Sequence, residues 1–277
     1  MMRIVWAMDP FAEDKKLQAN ILKVLHSLAV IPGTTIEPVA LVTFQDRALV
    51  SLPVDTIEQV QAAAEASMSK WIAKSKLPSV SRPTVLVQKS MSLTEAVLRL
   101  VEWAKSHEAD LIAVSTQAHK GATRFLLGSF SETLILESTL PTLIVAPQTE
   151  APKRVRKILY PTDWSPVSRS ALATVLPAVG KLGAEIYLFH YTAEEPNPAL
   201  ARSFLEDAQR AGVAAHAAFS KRGTSVSHAV VEFAKKQRMD WIAMVSHRAP
   251  GVSRVTVGSN TRQVVRIAPC PVWVVHP

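Results

Sequence analysis

The sequence predicts an α/β fold made of two tandem doubly wound domains, each with a five-stranded parallel, Rossmann-like sheet. Three observations support this prediction. Short apolar runs alternate with segments of helical periodicity, the whole pattern occurs twice, and over the later part of each half equivalent segments lie a constant 130 positions apart. Strands that alternate with crossover helices form parallel sheets. A chain of 277 residues with 48% hydrophobic content is long enough for two ordinary cores.

The first half contains five predicted strands and four predicted helices. The run RIVWAM predicts the opening strand, an amphipathic segment follows it, and a long segment rich in Ala, Gln and Glu predicts a second helix. A third helix is indicated by Val97, Leu100, Val101 and Ala104, which recur at helical spacing. In chain order the predicted elements are strand 3–8, helix 14–28, strand 35–43, helix 55–74, strand 84–88, helix 94–107, strand 111–114, helix 130–137 and strand 142–146.

The second half repeats this order with less sequence between its second and third strands. Its predicted elements are strand 157–160, helix 168–181, strand 185–190, helix 199–211, strand 214–219, helix 225–237, strand 241–245, helix 260–266 and strand 271–275. Two series of strands and helices with the same order and the same kind of boundary residues are typical of a duplicated domain.

The repeat itself is visible residue by residue. At the offset of 130 positions, residues 110–114 match 240–244, 128–129 match 258–259, and 140–145 match 270–275. Each half also opens with an apolar strand that ends in an aspartate, Asp9 or Asp163; these lie 154 positions apart, so the first half carries 24 additional residues before Asp110. Prolines and mixed charges interrupt the chain between the halves. We therefore predict a first domain over 1–148, a linker over 149–156 and a second domain over 157–277.

Composition narrows the function classes. The net charge of +8 permits anionic partners, but the densest basic cluster, at residues 153–157, falls in the predicted linker, so nucleic acid is not an expected partner. Cys270 is the single cysteine, which excludes an internal disulfide and fits a reducing compartment. The apolar run at the N-terminus is too short for a signal peptide, and no run has the length of a membrane span. A soluble, cytoplasmic protein is the expectation.

The candidate ligand site follows from the predicted topology. Doubly wound sheets bind ligands beyond the carboxyl ends of their strands, at the point where the strand order reverses. This rule indicates Asp9 and Ser115 with the loop that follows in the first half. In the second half it indicates Asp163 and Val245 with its loop.

At these residues the sequence resembles the universal stress protein family. The likeness rests on the first-strand aspartates, the loop after the fourth strand, the Gly-Ser pair before a helix, the proline-led last strand and the segment YPTDWS at 160–165. It covers essentially the whole chain, twice. In this family the last strand often forms the dimer contact, so the resemblance implies that the two halves pack with pseudo-twofold symmetry. We expect two separate sheets; a single continuous sheet would contradict the duplication.

The resemblance also implies a nucleotide site, with ATP as the candidate cofactor. Nucleotide-binding members carry Gly-x-x-Gly, nine residues, and then Gly-Ser or Gly-Thr, and their first-strand aspartate contacts the nucleoside end. Glycines let phosphate oxygens approach backbone N–H groups, and the helix N-terminus favours an anion. The implied site residues are Asp9, Ser115, Ala118, Gly121, Gly128 and Ser129 in the first half, and Asp163, Arg248, Gly258 and Ser259 in the second.

Both copies of this pattern are altered. Ser115 and Ala118 replace the leading glycines of the first half and are small enough to leave room for phosphate. Val245 and Arg248 replace them in the second half; the branched and the long side chain are expected to crowd a triphosphate, although Arg248 offers a charged contact instead. The first half is therefore the better candidate for an ATP site.

Several of these residues have a purely structural alternative. Ser129 and Glu132 fit a capping box, and Ser259 is expected to cap the matching helix without such a glutamate. Asp9 and Asp163 suit either a ligand contact or the cap of the next turn. Trp164 either packs in the core or lines a pocket. No His, Cys or carboxylate has metal-ligand spacing around the two loops, so a metal site is not predicted.

Three functions stay open at this point. The first is a non-enzymatic stress-response protein with a degenerate nucleotide site, acting through ligand or partner binding. The second is an interaction scaffold that binds no nucleotide, and the third is a slow ATP hydrolase. The P-loop, the dinucleotide fingerprint and the nucleophile elbow do not occur in the sequence, and no carboxylate pair marks the site, so an enzyme is not predicted. Beyond the intramolecular pair of domains, a further homodimer is left open.

Overall fold

A computed structural model provides the structure of the protein. It describes residues 2–12, 15–42, 56–88, 92–116, 129–192, 198–221, 225–246 and 258–276. Within these ranges, elements of the first half are β1 (Met2–Ala7), α1 (Lys15–Ala29), β2 (Thr34–Val42), α2 (Ile57–Ser75), β3 (Thr84–Val87), α3 (Leu93–Ser106), β4 (Leu111–Ser115), α4 (Ser129–Glu137) and β5 (Thr142–Val145).

The second half has the same succession of elements. They are β6 (Lys157–Pro161), α5 (Pro166–Leu182), β7 (Glu185–Thr192), α6 (Pro198–Arg210), β8 (Ala215–Lys221), α7 (Val226–Lys236), β9 (Trp241–Val245), α8 (Ser259–Ile267) and β10 (Val272–Val275). The predicted order is confirmed, with boundaries that differ by one or two residues at most ends.

Where a boundary differs, local chemistry gives the reason. Helix α5 begins two residues earlier than predicted because Ser165 is its N-cap and accepts a hydrogen bond from the Ser168 N–H, while Pro166 fits the first helical position. Strand β7 continues to Thr192, two residues beyond the prediction, because β8 pairs with it along its whole length.

Each half is a five-stranded parallel sheet with its first strand in the interior. The strand order is β3-β2-β1-β4-β5 in the first half and β8-β7-β6-β9-β10 in the second. The order reverses between β1 and β4 and again between β6 and β9. These are the two switch points, and their carboxyl ends are where the predicted site residues belong.

The two sheets join into one, which corrects an expectation. The sheet is continuous over ten strands because β5 and β10 pair with each other. The duplication nevertheless holds. The joint pairs β5 and β10 antiparallel, and moving outward from it in either direction one meets equivalent strands in the same order. The expectation that a duplicated domain gives two separate sheets was wrong, because two apolar edge strands can pair and merge their sheets.

The register of this joint carries the pseudo-twofold symmetry. Leu143 lies opposite Trp273, its equivalent at the offset of 130 positions, and the flanking pairs exchange equivalent partners in the same way. Such self-matching contacts define an isologous interface, here within one chain. Helices α4 and α8 meet under the same symmetry, since Arg262 Nη1 lies 3.3 Å from Oε1 of its equivalent Glu132.

The core lies on both faces of the joined sheet, and each layer extends over both halves. One layer packs beneath α1, α2, α5 and α6 and includes Trp241 and Trp273. The opposite layer packs beneath α3, α4, α7 and α8 and includes Cys270. Because apolar contacts continue across the joint, the halves are packed together and not only tethered.

Candidate functional site

In the first half, Asp9 lies just beyond β1 at the β1–β4 switch point. Its side chain is exposed, and its Oδ1 accepts a hydrogen bond from the Phe11 backbone N–H at 2.9 Å. This contact closes a short turn and holds the carboxylate at the strand end. The structure therefore shows the turn-capping role, and the bond leaves the carboxylate at the edge where a ligand contact is predicted.

Beside Asp9, the end of β4 forms the other wall of this switch point. Ser115 is the last residue of β4 and is half-buried, and the N–H of the buried Thr116 donates to Val145 O at 3.0 Å. Ser129 begins α4, and its side chain is not described. Ala118, Gly121 and Gly128 lie outside the described residues, so their roles, and the Ser129 capping box, stay predictions.

In the second half, Asp163 stands at the equivalent place after β6. Its Oδ1 accepts hydrogen bonds from the Ser165 N–H at 3.0 Å and the Ser168 hydroxyl at 2.6 Å. Partial burial acts to raise the pKa of Asp163, but these hydrogen bonds to the charged form outweigh it and hold that pKa below its ordinary value. Asp163 is thus an ionised carboxylate that organises the start of α5.

Trp164 follows Asp163 and packs among aromatic side chains. Its indole contacts His190 at 5.5 Å, Phe219 at 6.1 Å, and the edge of Phe204 at 5.0 Å, measured between ring centroids. The His190 Nδ1 lies 2.8 Å from Thr162 O, and because a carbonyl oxygen only accepts, Nδ1 carries a proton. We call Trp164, His190, Phe204 and Phe219 the aromatic cluster.

The other wall of the second switch point is built by β9 and α8. Val245 is half-buried at the end of β9, and the next residue, Ser246, is 1% exposed with an Oγ that has no hydrogen-bond partner among the described residues. The Thr261 hydroxyl lies 3.5 Å from Val245 O and so ties the first turn of α8 to this strand. Arg248 lies outside the described residues.

The cap of α8 differs from the prediction. Gly258, and not Ser259, is the N-cap; it makes no side-chain capping bond, and Ser259 is the first helical residue and is exposed. The prediction placed the start of α8 one residue too late, because serine is a preferred N-cap residue and Ser259 was therefore assigned to that position. The N–H groups at this helix end are therefore not capped by the side chain at the N-cap.

Sequence reasoning missed the contribution of the neighbouring strands. His190 and Phe219 come from the carboxyl ends of β7 and β8 and meet Trp164. The available signal was the register: once β7 is placed beside β6, its last residues belong to the same edge as Asp163. Ser168, buried in the first turn of α5, lies only five residues from Asp163, and it was missed because the prediction began α5 at Ser168 instead of Pro166.

Two classes of site find no support in the described ranges. No group of three His, Cys, Asp or Glu side chains is arranged there to hold a metal ion. None of the helices described is both long and apolar enough to cross a membrane.

Cys270 is buried, and burial raises the pKa of its thiol well above the ordinary value, with a smaller contribution from Asp240.

Fold and site together define a class: proteins built from two doubly wound α/β domains joined through their last strands, with a candidate cleft at each switch point. The model of the universal stress protein family matches residues 1–146 and 154–276, and the chain belongs to this family. The domain and linker bounds given above remain our prediction.

Individual relatives agree with this assignment. A universal stress protein of Methanocaldococcus jannaschii is 27% identical over 138 residues, which is 43% of this chain and 81% of that protein. The crystal structure of a universal stress protein from Archaeoglobus fulgidus superimposes with a TM-score of 0.71 at 17% identity, covering 99% of this chain and 98% of that one. Another, of a functionally unknown protein from Pseudomonas aeruginosa, has a TM-score of 0.63 at 14% identity, covering 100% and 93%.

Proposed function

We propose that this chain is a non-enzymatic stress-response protein of the cytoplasm that binds a nucleotide, with ATP as the candidate, and acts through ligand or partner binding. The observation that carries the proposal is the exposed carboxylate of Asp9 at the β1–β4 switch point. A carboxylate held at this place accepts hydrogen bonds from the hydroxyl and amino groups of a nucleoside. The Phe11 N–H fixes its orientation before a ligand arrives.

The surroundings of Asp9 suit such a ligand. Ser115 forms the neighbouring wall with a small side chain, and α4 begins at Ser129, so we assign the anionic end of the ligand to the N-terminus of that helix. The formal net charge of +8 favours an anionic ligand in general. These features support one cleft that takes a nucleotide lengthwise, from the β1 end to the start of α4.

The test is equilibrium dialysis of the full chain against labelled ATP. We expect saturable binding, and replacing Asp9 by Asn should remove a hydrogen bond to a charged group, worth about 1.5–3 kcal/mol or roughly 10–100-fold in Kd. Gly128→Val should abolish binding. A chain that binds no nucleotide would instead favour the interaction scaffold, and repeated release of ADP would establish a hydrolase. Inorganic phosphate probes the phosphate end of the cleft, and adenosine, which carries no phosphate, probes the nucleoside end.

A further inference from the structure

One end of the ten-stranded sheet is an edge strand without the usual protection. Strand β8 forms seven consecutive pairs with β7, and in the part of the chain that the structure describes no strand lies on its other side. Its sequence, AHAAFSK, contains no proline and no carboxylate, and Ala217 near its middle is exposed. A cavity of about 450 Å³, lined by Leu205 and Gln209 of α6 and by residues 212–215, leaves the start of the strand open. Such an edge favours pairing with another strand.

The ladder with β7 shows which backbone groups of β8 are open. The Ile186 N–H donates to Ala214 O at 2.8 Å, and Ile186 lies opposite Ala215. Because hydrogen bonding alternates along the ladder, the even-numbered residues of β8 direct their N–H and C=O groups towards β7. The odd-numbered residues, among them Ala217 and Phe219, direct theirs outward.

The equivalent edge at the opposite end of the sheet is protected. Strand β3 has only four residues, Pro83 stands directly before it, and Val85 and Leu86 are both buried. Short edge strands and prolines at the edge are two means by which sheets avoid edge pairing. One open end and one protected end favour a closed pair of chains over a filament, because a twofold contact uses the same edge of both copies.

We propose that two copies of this chain pair through β8, antiparallel and centred on Ala218, so that the sheet continues across a second twofold axis. Ala218 is the middle residue of the strand, and this register therefore overlaps all seven residues. It sets Ala217 opposite Phe219 of the second copy, and Ala215 opposite Lys221. Every outward backbone group of the strand then has a partner, whereas a shifted register leaves those at the ends unpaired. The same kind of antiparallel edge pairing joins β5 to β10 within the chain.

The charges of the strand suit this pairing although the chain as a whole is basic. A net charge of +8 repels a second copy in general. In the proposed register the one lysine of the strand, Lys221, lies opposite Ala215, and His216 lies opposite Ser220, so no like charges face each other. His216 is held within its own chain, where its Nε2 lies 3.0 Å from Oε2 of Glu185.

Sedimentation equilibrium of the full chain tests this inference. We expect twice the mass of one chain for the wild type. Ala217→Pro removes an outward N–H and no hydrogen bond to β7, so this variant should be monomeric with an unchanged circular dichroism spectrum. Ala217→Lys, which keeps the backbone intact and brings a lysine from each copy close to the twofold axis, should be monomeric too. A monomeric wild type would overturn the inference and leave the edge to a strand of another protein. A dimer that both variants retain would overturn it as well.

Disulfide cross-linking determines the register. Residues of a non-hydrogen-bonded antiparallel pair have Cα atoms about 4.5 Å apart, a distance that a disulfide spans. Ala218→Cys, which faces its own equivalent, should therefore form a covalent dimer under mild oxidation. The matched control is Ala217→Cys in the same strand, which faces Phe219 and should stay uncrosslinked. The background is low because the one native cysteine, Cys270, is buried. Cross-linking of Ala217→Cys alone, or of neither variant, would contradict the pairing centred on Ala218.

Discussion

Trp273 lies on the pseudo-twofold axis, and shortening it tests how much the joint between the halves contributes to stability. Its side chain is 3% exposed, sits opposite Leu143, and meets the edge of Trp241 at 6.1 Å. A tryptophan buries about 200 Å², which corresponds to about 5 kcal/mol at roughly 25 cal/mol per Å². Measured Trp→Ala changes of about 3–5 kcal/mol agree with this figure. Because this variant also removes a buried indole N–H that has no partner in the described residues, we expect Trp273→Ala to lower the free energy of unfolding by about 3 kcal/mol, the lower end of this range.

The matched variant Trp273→Phe should be far milder, for a reason specific to this site. The indole Nε1 of Trp273 is buried and has no partner in the described part of the chain. Removing an unpaired buried donor recovers about 1–3 kcal/mol, which offsets much of the lost volume. We expect a net loss of about 1 kcal/mol or less.

The assay is urea denaturation of both variants, followed by far-UV circular dichroism and analysed at a common slope. The reasoning would be refuted if Trp273→Phe proved as destabilising as Trp273→Ala, since the indole N–H would then have a partner. It would equally be refuted if Trp273→Ala had little effect, because the joint would then not be a packed core.

Three further predictions follow. Asp163→Asn should reduce stability at neutral pH, because hydrogen bonds to the carboxylate lower its pKa in the native state. The stability difference between wild type and variant is full above the ordinary pKa of 3.8 and shrinks as the pH falls through the lowered pKa. Urea titrations at several pH values measure this difference, and a difference independent of pH would contradict the prediction. Gly183→Ala should lower the free energy of unfolding by about 1 kcal/mol, because Gly183 caps α5 with a φ of 62°. Gly180→Ala lies within that helix, where a Cβ meets Val213 at 3.8 Å, and should raise the free energy of unfolding by up to about 1 kcal/mol. Melting curves of the two variants check this, and equal effects would argue against it. Cys270 should react with Ellman's reagent only after unfolding, since burial raises its pKa and blocks access; rapid labelling of the native chain would disprove this.

Most of the fold was within reach of the sequence because its signals are local. The short apolar runs that defined β1 and β6, and the helical spacing of Val97, Leu100 and Val101, report short-range preferences that the tertiary structure did not override. The repeat strengthened the prediction, because each strand or helix predicted in one half had an equivalent in the other half.

The candidate site was only partly predictable. The observed strand order puts Asp9 and Asp163 beside the two switch points, as the predicted topology requires, while a ligand contact at either residue stays a prediction. It could not anticipate that Phe204 packs against Trp164, because that contact depends on how α6 packs on the sheet, nor that Ser168 donates to Asp163, because that local bond depends on where α5 begins.

The sequence by itself determined that the chain is a duplicated α/β protein and which family it belongs to. Only the tertiary structure decided that β5 and β10 merge the sheets around Leu143 and Trp273, and that Trp164 packs against rings from β7 and β8. The physical reason is range: periodicity acts between near neighbours, whereas edge pairing and ring packing depend on residues brought together from distant parts of the chain.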